Sequence, residues 1–383
     1  MKRILSLDGG GIRGVFSLMI LKRIEELCRQ ERNRHDLVLR DEFDFFVGTS
    51  TGAIIAAFLA WGYSADKILR LYEEHSHEMF ARASLLDRFT RNEYEAESIT
   101  DFFKAHFRDQ NGSLSKLGTS MLGEGAERKF LMVVMRNATT GSAWPVTNNP
   151  EAKYNQRTHP ECNLDIEIWQ LLRASTAAPT FFPPEELQLG KAVRICVDGG
   201  LTPYNNPALI AVLTATLPNY NMKWETGTDK LQVVSIGTGS DRAELPPKEA
   251  HELNKLDFAR YVAPAMIESV AAEQDLICRV LGDCLAGEGL DREIYDLRGP
   301  GPDLFTVAEK KFTYVRYNTK LRTRLDQPGE PVANNAFNLD DLELIPQLKE
   351  KGLVFAQSAV KREHLFPPFF RDLTSVPKSK FAE

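Results

Sequence analysis

This 383-residue sequence is poor in the features that mark several large classes of protein. It holds five cysteines, an odd number, at Cys28, Cys162, Cys196, Cys278 and Cys284, and none form a CxxC pair. Most of them sit in apolar or helix-like stretches, which argues against a disulfide framework and for a reducing compartment. The seven histidines are scattered, and no His/Cys/carboxylate cluster has metal-ligand spacing, so neither a metal nor a cofactor is expected. His75 and His77 are two apart in a helical stretch and point to different faces. No run approaches the roughly 20 apolar residues of a membrane span. Met1 leads at once into a strand-like run, Ile4 to Leu7, whereas a secretory leader needs a longer apolar region. There is no internal repeat and no low-complexity tract. Excess positive charge is missing too: the formal net charge is -6, so DNA, RNA and anionic lipid are not attracted in general. These absences predict a soluble, cytoplasmic chain that would meet a membrane substrate peripherally.

What is present is ordinary globular composition, 43% hydrophobic and 26% charged, in a chain long enough for a large core. Strand-like and helix-like stretches alternate, which predicts an α/β sandwich with a mostly parallel central sheet. Residues 2–7, 43–47, 129–136, 193–197 and 231–236 read as buried strands. An apolar stripe predicts an amphipathic helix over 15–30, and the nearly all-apolar Ala53 to Trp61 predicts a buried one. A helix is expected over 164–174 with Asn163 as N-cap. Helical patterns return at 255–283 and near 340–362. Segments 110–128 and 149–163 read as irregular, and Pro179, Pro183 and Pro184 force a loop. The late HLFPPFFRDL stretch either docks on the body or contacts a partner.

Three constellations carry chemistry, and each follows a predicted strand, where open α/β sheets place their sites. Gly48-Thr49-Ser50-Thr51-Gly52 lies between an apolar strand and an apolar helix, the context of a nucleophile elbow. Its glycines permit a tight turn, and the helix N-terminus can stabilise a developing anion at Ser50. Asp8-Gly9-Gly10-Gly11-Ile12-Arg13-Gly14 opens the first long helix. Its glycines expose N–H groups that suit a tetrahedral oxyanion, with Arg13 adding positive charge. The competing reading is a phosphate cradle. That cradle lacks the Lys-Ser/Thr ending of a P-loop and only partly imitates GxGxxG. Asp8 reads as a loop-capping residue. Asp198-Gly199-Gly200 follows the apolar run VRICV. Taken alone it is equally a catalytic carboxylate and a plain Asp-Gly turn.

In this order and spacing, DGGGIRG, GTSTG and DGG resemble the patatin-like phospholipase family. ASTAAPTFFPP at 174–184, NNP at 205–207, SIGTGS at 235–240 and TYVRYN at 313–318 resemble it too. The likeness covers roughly residues 1–320 and leaves 321–383 as a C-terminal helical extension that packs on or regulates the core. The resemblance implies a three-layer sandwich and hydrolysis of fatty acyl esters of phospholipids without a metal. It implies Ser50 as nucleophile within the elbow of Gly48 and Gly52. Asp198 would be its partner in a Ser–Asp dyad, followed by Gly199 and Gly200. The backbone of Gly9, Gly10 and Gly11, with Arg13 beside it, would be the oxyanion hole. An ordinary Asp, with a pKa near 3.9, is a poor base for a serine. Burial that raises it, and donors that stabilise charge as the proton leaves, are therefore expected. Some bacterial members of about this length are antiphage effectors switched on by a cyclic oligonucleotide. For this chain that would mean activity waiting for the nucleotide to order a loop or a homo-oligomer.

Two rivals stand beside this reading. A conventional triad would use Ser50, Asp198 and either His251 or His364. A nucleotide-binding signalling module with a decayed site would hydrolyse nothing, although all three motifs look intact. Thr180, Phe181 and Phe182 are candidates to line an acyl channel, with plain core as the alternative for the rings.

Overall fold

The structure, a computed structural model, describes residues 1–80, 92–179, 182–240, 254–290, 309–321 and 341–367. Its described strands are β1 (Lys2–Leu7), β2 (Phe45–Thr49), β3 (Phe130–Asn137), β4 (Ser142–Thr147), β5 (Glu185–Leu189), β6 (Ala192–Asp198), β7 (Leu231–Ile236), β8 (Asp283–Ala286) and β9 (Thr313–Tyr317). Its helices are α1 (Gly14–Arg32), α2 (Leu39–Glu42), α3 (Thr51–Trp61), α4 (Ala65–Glu74), α5 (Ser76–Phe80), α6 (Asn92–His106), α7 (Ile168–Ser175), α8 (Ala208–Thr216), α9 (Lys255–Leu281), α10 (Ile345–Ala359) and α11 (Arg362–Leu365). The strands form one sheet in the order β5-β6-β3-β2-β1-β7-β9-β8, with β4 also on β3. The run β3-β2-β1-β7-β9-β8 is parallel, and β4, β5 and β6 join antiparallel.

Both faces of the sheet are covered, as a buried parallel sheet requires. Along β1, Leu5 and Leu7 enter the larger apolar cluster with α1, α3, α4 and α7. Ile4 enters the second cluster, with Ala208, Ala211 and Ala215 of α8. The result is an α/β three-layer sandwich with a mostly parallel sheet. From Ala53 to Ala60, α3 is almost wholly buried. Each fully buried Ile, Leu or Phe there contributes about 1.5–3 kcal/mol. That helix stops at Gly62, whose φ of 102° a residue with a Cβ would rarely adopt.

The site is placed by how β3 is shared. Phe45 to Thr49 of β2 pair with Phe130 to Val134, and Asp198 to Cys196 of β6 pair onward with Met135 to Asn137. Since β4 occupies the other edge over Met132 to Asn137, β2 and β6 lie end to end along one edge of β3. Their chain ends meet, so Ser50 arrives from one direction and Asp198 from the other. Beside them, the C-terminal ends of β1, β2 and β7 are in register (Leu7 with Gly48 and Ile236). The triple-glycine turn therefore lies level with the elbow.

Several sequence expectations change in detail. The helix expected over 164–174 begins at Ile168, after Glu167, while Asn163 opens a separate short 3₁₀ turn. The second strand runs from Phe45 rather than Phe43, because Phe43 closes the one-turn α2. Strand β6 is not buried throughout: Val193 and Ile195 face solvent, since an antiparallel extension is covered on one side only. Phe182 is core. Thr180, Phe181, His251 and the end of HLFPPFFRDL lie outside the described residues.

Candidate active site

Ser50 sits between β2 and α3 with φ 53° and ψ −125°, a left-handed φ that a non-glycine residue rarely holds. Such strain persists only where surroundings over-determine it. Here the Ser50 carbonyl accepts from the Ala53 and Ile54 N–H groups at 2.8 and 3.3 Å. Its own N–H donates to Ser175 Oγ at 2.9 Å, and Ser175 Oγ donates to the Val134 carbonyl at 2.6 Å. The elbow glycines answer to crowding. A Cβ on Gly48 would lie 2.1 Å from the Gly52 carbonyl oxygen, and one on Gly52 would lie 2.2 Å from that of Leu7.

The Ser50 hydroxyl donates to Asp198 Oδ2 at 2.7 Å, across 148 positions of sequence. Asp198 Oδ1 accepts the Gly200 N–H at 2.6 Å, and the Asp198 N–H donates to the Ala177 carbonyl at 3.0 Å. Burial pushes the Asp198 carboxyl up to about 6, against the hydrogen bonds from Gly200 and Ser50, which lower it. A carboxylate so raised is a better base than a solvated one. Gly199 fits because a Cβ there would meet the Val134 carbonyl oxygen at 2.3 Å.

The glycine turn faces the same spot, for a Cβ on Gly9 would come within 3.3 Å of Ser50 Cβ. The Gly9 N–H, however, donates to the Asn205 carbonyl at 3.1 Å, and the Gly9 carbonyl accepts from Thr238 Oγ1 at 3.1 Å. Gly9 thus braces the turn rather than offering its N–H. No hydrogen bond of the Gly10 or Gly11 N–H is found among the described residues. Gly10 packs so closely on Thr238 that a Cβ would lie 2.2 Å from its Oγ1. Arg13 stands in the 3₁₀ turn Gly11–Arg13 that leads into α1, and its N–H closes that turn on the Gly10 carbonyl at 3.1 Å. Burial raises the Asp8 carboxyl, against the lowering effect of Arg316 and, more weakly, of Arg13.

Asp8 is no loop cap. Its carboxylate takes both terminal nitrogens of the buried Arg316, at 2.9 and 2.5 Å. His364 is equally far from its suggested part: its Nδ1 lies 3.1 Å from the Tyr317 hydroxyl and its carbonyl accepts from Gln232. Among the described residues no histidine touches Ser50 or Asp198, and no group of His, Cys, Asp or Glu is arranged to hold a metal ion. Sequence reading missed Ser175, Asn205, Thr238 and Arg316. All four stand in stretches with family likeness, but none carries a local signal of its role.

The model of the patatin-like phospholipase family matches residues 5–212, which contain the glycine turn, the elbow and Asp198. The chain belongs to the patatin-like phospholipase family. It is 30% identical to patatin-like protein 1 of Arabidopsis thaliana, over 89% of this chain and 87% of that protein. It is 27% identical to a cUMP-AMP-activated phospholipase of Escherichia coli, over 62% of this chain and 64% of that one. A cGAMP-activated phospholipase of Vibrio cholerae is 26% identical over 72% of this chain and 75% of its own length. In this patatin-like chain the three motifs that carry the family likeness converge on one spot, with Ser50 and Asp198 in direct hydrogen bond.

Proposed function

We propose that the chain hydrolyses fatty acyl esters of membrane phospholipids through an acyl-enzyme on Ser50, with Asp198 as general base. The observation that carries this is the 2.7 Å hydrogen bond from Ser50 Oγ to a buried, pKa-raised Asp198. Ser50 Oγ attacks the ester carbonyl carbon while Asp198 Oδ2 takes its proton. The carbonyl oxygen becomes an oxyanion facing the Gly10 and Gly11 N–H groups and the N-terminus of α3. Collapse breaks the ester C–O bond. Asp198 returns the proton to the leaving lysophospholipid oxygen. Water then attacks the acyl-enzyme, again losing a proton to Asp198, and the free fatty acid leaves as Ser50 recovers its hydrogen.

No helix among the described residues is long and apolar enough to cross a membrane, so the chain would act on the bilayer peripherally. The relatives named for activation by cUMP-AMP and cGAMP support a second part of the proposal. On that part, a cyclic oligonucleotide switches this chain on in antiphage defence, by ordering a loop or a homo-oligomer. One experiment tests both. Bacterial lipid vesicles are treated with wild type or Ser50→Ala, with and without a panel of cyclic di- and trinucleotides, and products are read by lipid mass spectrometry. Free fatty acid from wild type, at least about 1,000-fold above Ser50→Ala, is expected. Equal release by both proteins removes the nucleophile. Equal release with and without every nucleotide removes the switch.

A further inference from the structure

The buried pair Asp8–Arg316 lies beside the reacting atoms and touches none of them. Asp8 follows β1 directly and precedes Gly9, and its N–H donates to the Ile236 carbonyl at 3.0 Å. Arg316, in β9, reaches it from 308 positions away and grips both carboxylate oxygens. Arg316 Nη1 also donates to Ser235 Oγ at 2.8 Å. Ser235 Oγ in turn lies 3.4 Å from Asn206 Oδ1, and the neighbouring Asn205 carbonyl holds the Gly9 N–H. The guanidinium therefore ties down both flanks of Gly9: the residue before it and the loop that takes its amide. Asp8, Arg316, Ser235 and Asn206 are all buried, so water does not soften the link.

We infer that Arg316 is a positioning residue for acyl transfer, fixing through Asp8 and Ser235 the turn that aims the Gly10 and Gly11 N–H groups at the oxyanion. A planar, bidentate fork sets the direction of a carboxylate, which the single point charge of a lysine does not. An amide donor is catalytic only at about 2.7–3.1 Å from where the oxyanion forms, and one lost donor costs about a hundred- to a thousandfold in kcat. Arg316 thus acts on the transition state and leaves ground-state binding alone. This rests on the hydrolase reading above, and the test separates the two.

The test compares Arg316→Lys and Ser235→Ala with Arg3→Lys in the full chain. Arg3 forms a buried pair with Glu42 at the opposite end of β1, so it controls for the loss of a buried ion pair as such. Turnover of p-nitrophenyl butyrate gives kcat and KM, and amide hydrogen exchange of the peptide spanning residues 8–14 gives the order of the turn. For Arg316→Lys, kcat is expected to fall about 10- to 100-fold with KM within about twofold, since the donors are displaced rather than lost. Exchange over 8–14 should rise about tenfold or more. Ser235→Ala should move both readings the same way by a smaller factor, and it remains informative if the lysine variant does not fold. Arg3→Lys should lower the melting temperature alone. Unchanged exchange over 8–14 in a folded Arg316→Lys or Ser235→Ala protein, or a kcat within twofold of wild type, overturns the inference. Should wild type turn over no faster than Ser50→Ala both without and with the panel of cyclic nucleotides, the hydrolase reading falls, and exchange over 8–14 alone decides whether Arg316 orders the turn.

Discussion

At the scale of single residues, the site sets stability against chemistry at Asp198. Burial raises its carboxyl from 3.8 to about 6, so near neutral pH the folded protein holds a charge its surroundings disfavour. The sign follows from linkage. A folded pKa above the unfolded one gives stability that is complete below about pH 4 and lost as pH rises through about 6. A shift of about 2 units corresponds to about 3 kcal/mol. Asp198→Asn keeps an acceptor for the Gly200 N–H and removes the charge. It should therefore raise the melting temperature at pH 7.5 by roughly 2–5 °C while abolishing ester hydrolysis. Calorimetry and an esterase assay on the same preparation check both halves. In wild type, kcat/KM should fall tenfold per pH unit below about 6, as the base becomes protonated. A flat profile from pH 5 to 8 would contradict the assignment of Asp198.

At the scale of elements, the geometry depends on α3 and β1 approaching with no side chain between them. A Cβ on Gly52 would stand 2.2 Å from the Leu7 carbonyl oxygen and 2.6 Å from that of Asp8, and both are backbone atoms that cannot swing aside. Gly52→Ala should therefore push α3, and Ser50 with it, away from the glycine turn. The expected cost is about 1–3 kcal/mol of stability, read by urea titration. Labelling of Ser50 by a fluorophosphonate should drop by at least about tenfold, because about 1 Å of misplacement at a reacting atom is that expensive. Elements also explain what was legible in the sequence. DGGGIRG, GTSTG and Asp198-Gly-Gly could be read because each is a contiguous strand-to-turn signal whose glycines have a local cause. The all-apolar α3 announced its burial in the same way. The braces could not be read. Ser175, Asn205, Thr238 and Arg316 act through hydrogen bonds to partners about 40 to 300 positions away, with no local pattern. Antiparallel β6 read as buried because a period-two strand covered on one face still looks apolar when Val193 and Ile195 occupy its solvent side.

At the scale of the whole molecule, the last described residues are fastened to the first. Helix α10 crosses α1 so closely that a Cβ on Gly352 would lie 2.8 Å from Met19 Cβ, and the Phe16 and Phe355 rings are 5.6 Å apart. The Leu365 carbonyl accepts from Arg3 at 3.3 Å and from Gln232 at 3.4 Å, which pins the chain across β1 and β7. Phe366 is buried against the guanidinium groups of Arg3 and Arg32, at 5.3 and 5.5 Å. Lys349 pairs with Glu73, and Arg362 with Glu31. Leu344, Leu348, Leu365 and Phe366 are all buried, at about 1.5–3 kcal/mol each. Together they rival the whole stability of a typical domain, about 5–15 kcal/mol. A removable inhibitory tail would leave a sound core behind, whereas this segment completes the core over α1 and the start of β1. Deleting residues 341–383 should therefore yield a chain that aggregates or loses cooperative unfolding, with no gain in hydrolysis. A soluble 1–340 protein that melts cooperatively and cleaves esters faster than the full chain would show instead that the extension restrains the site.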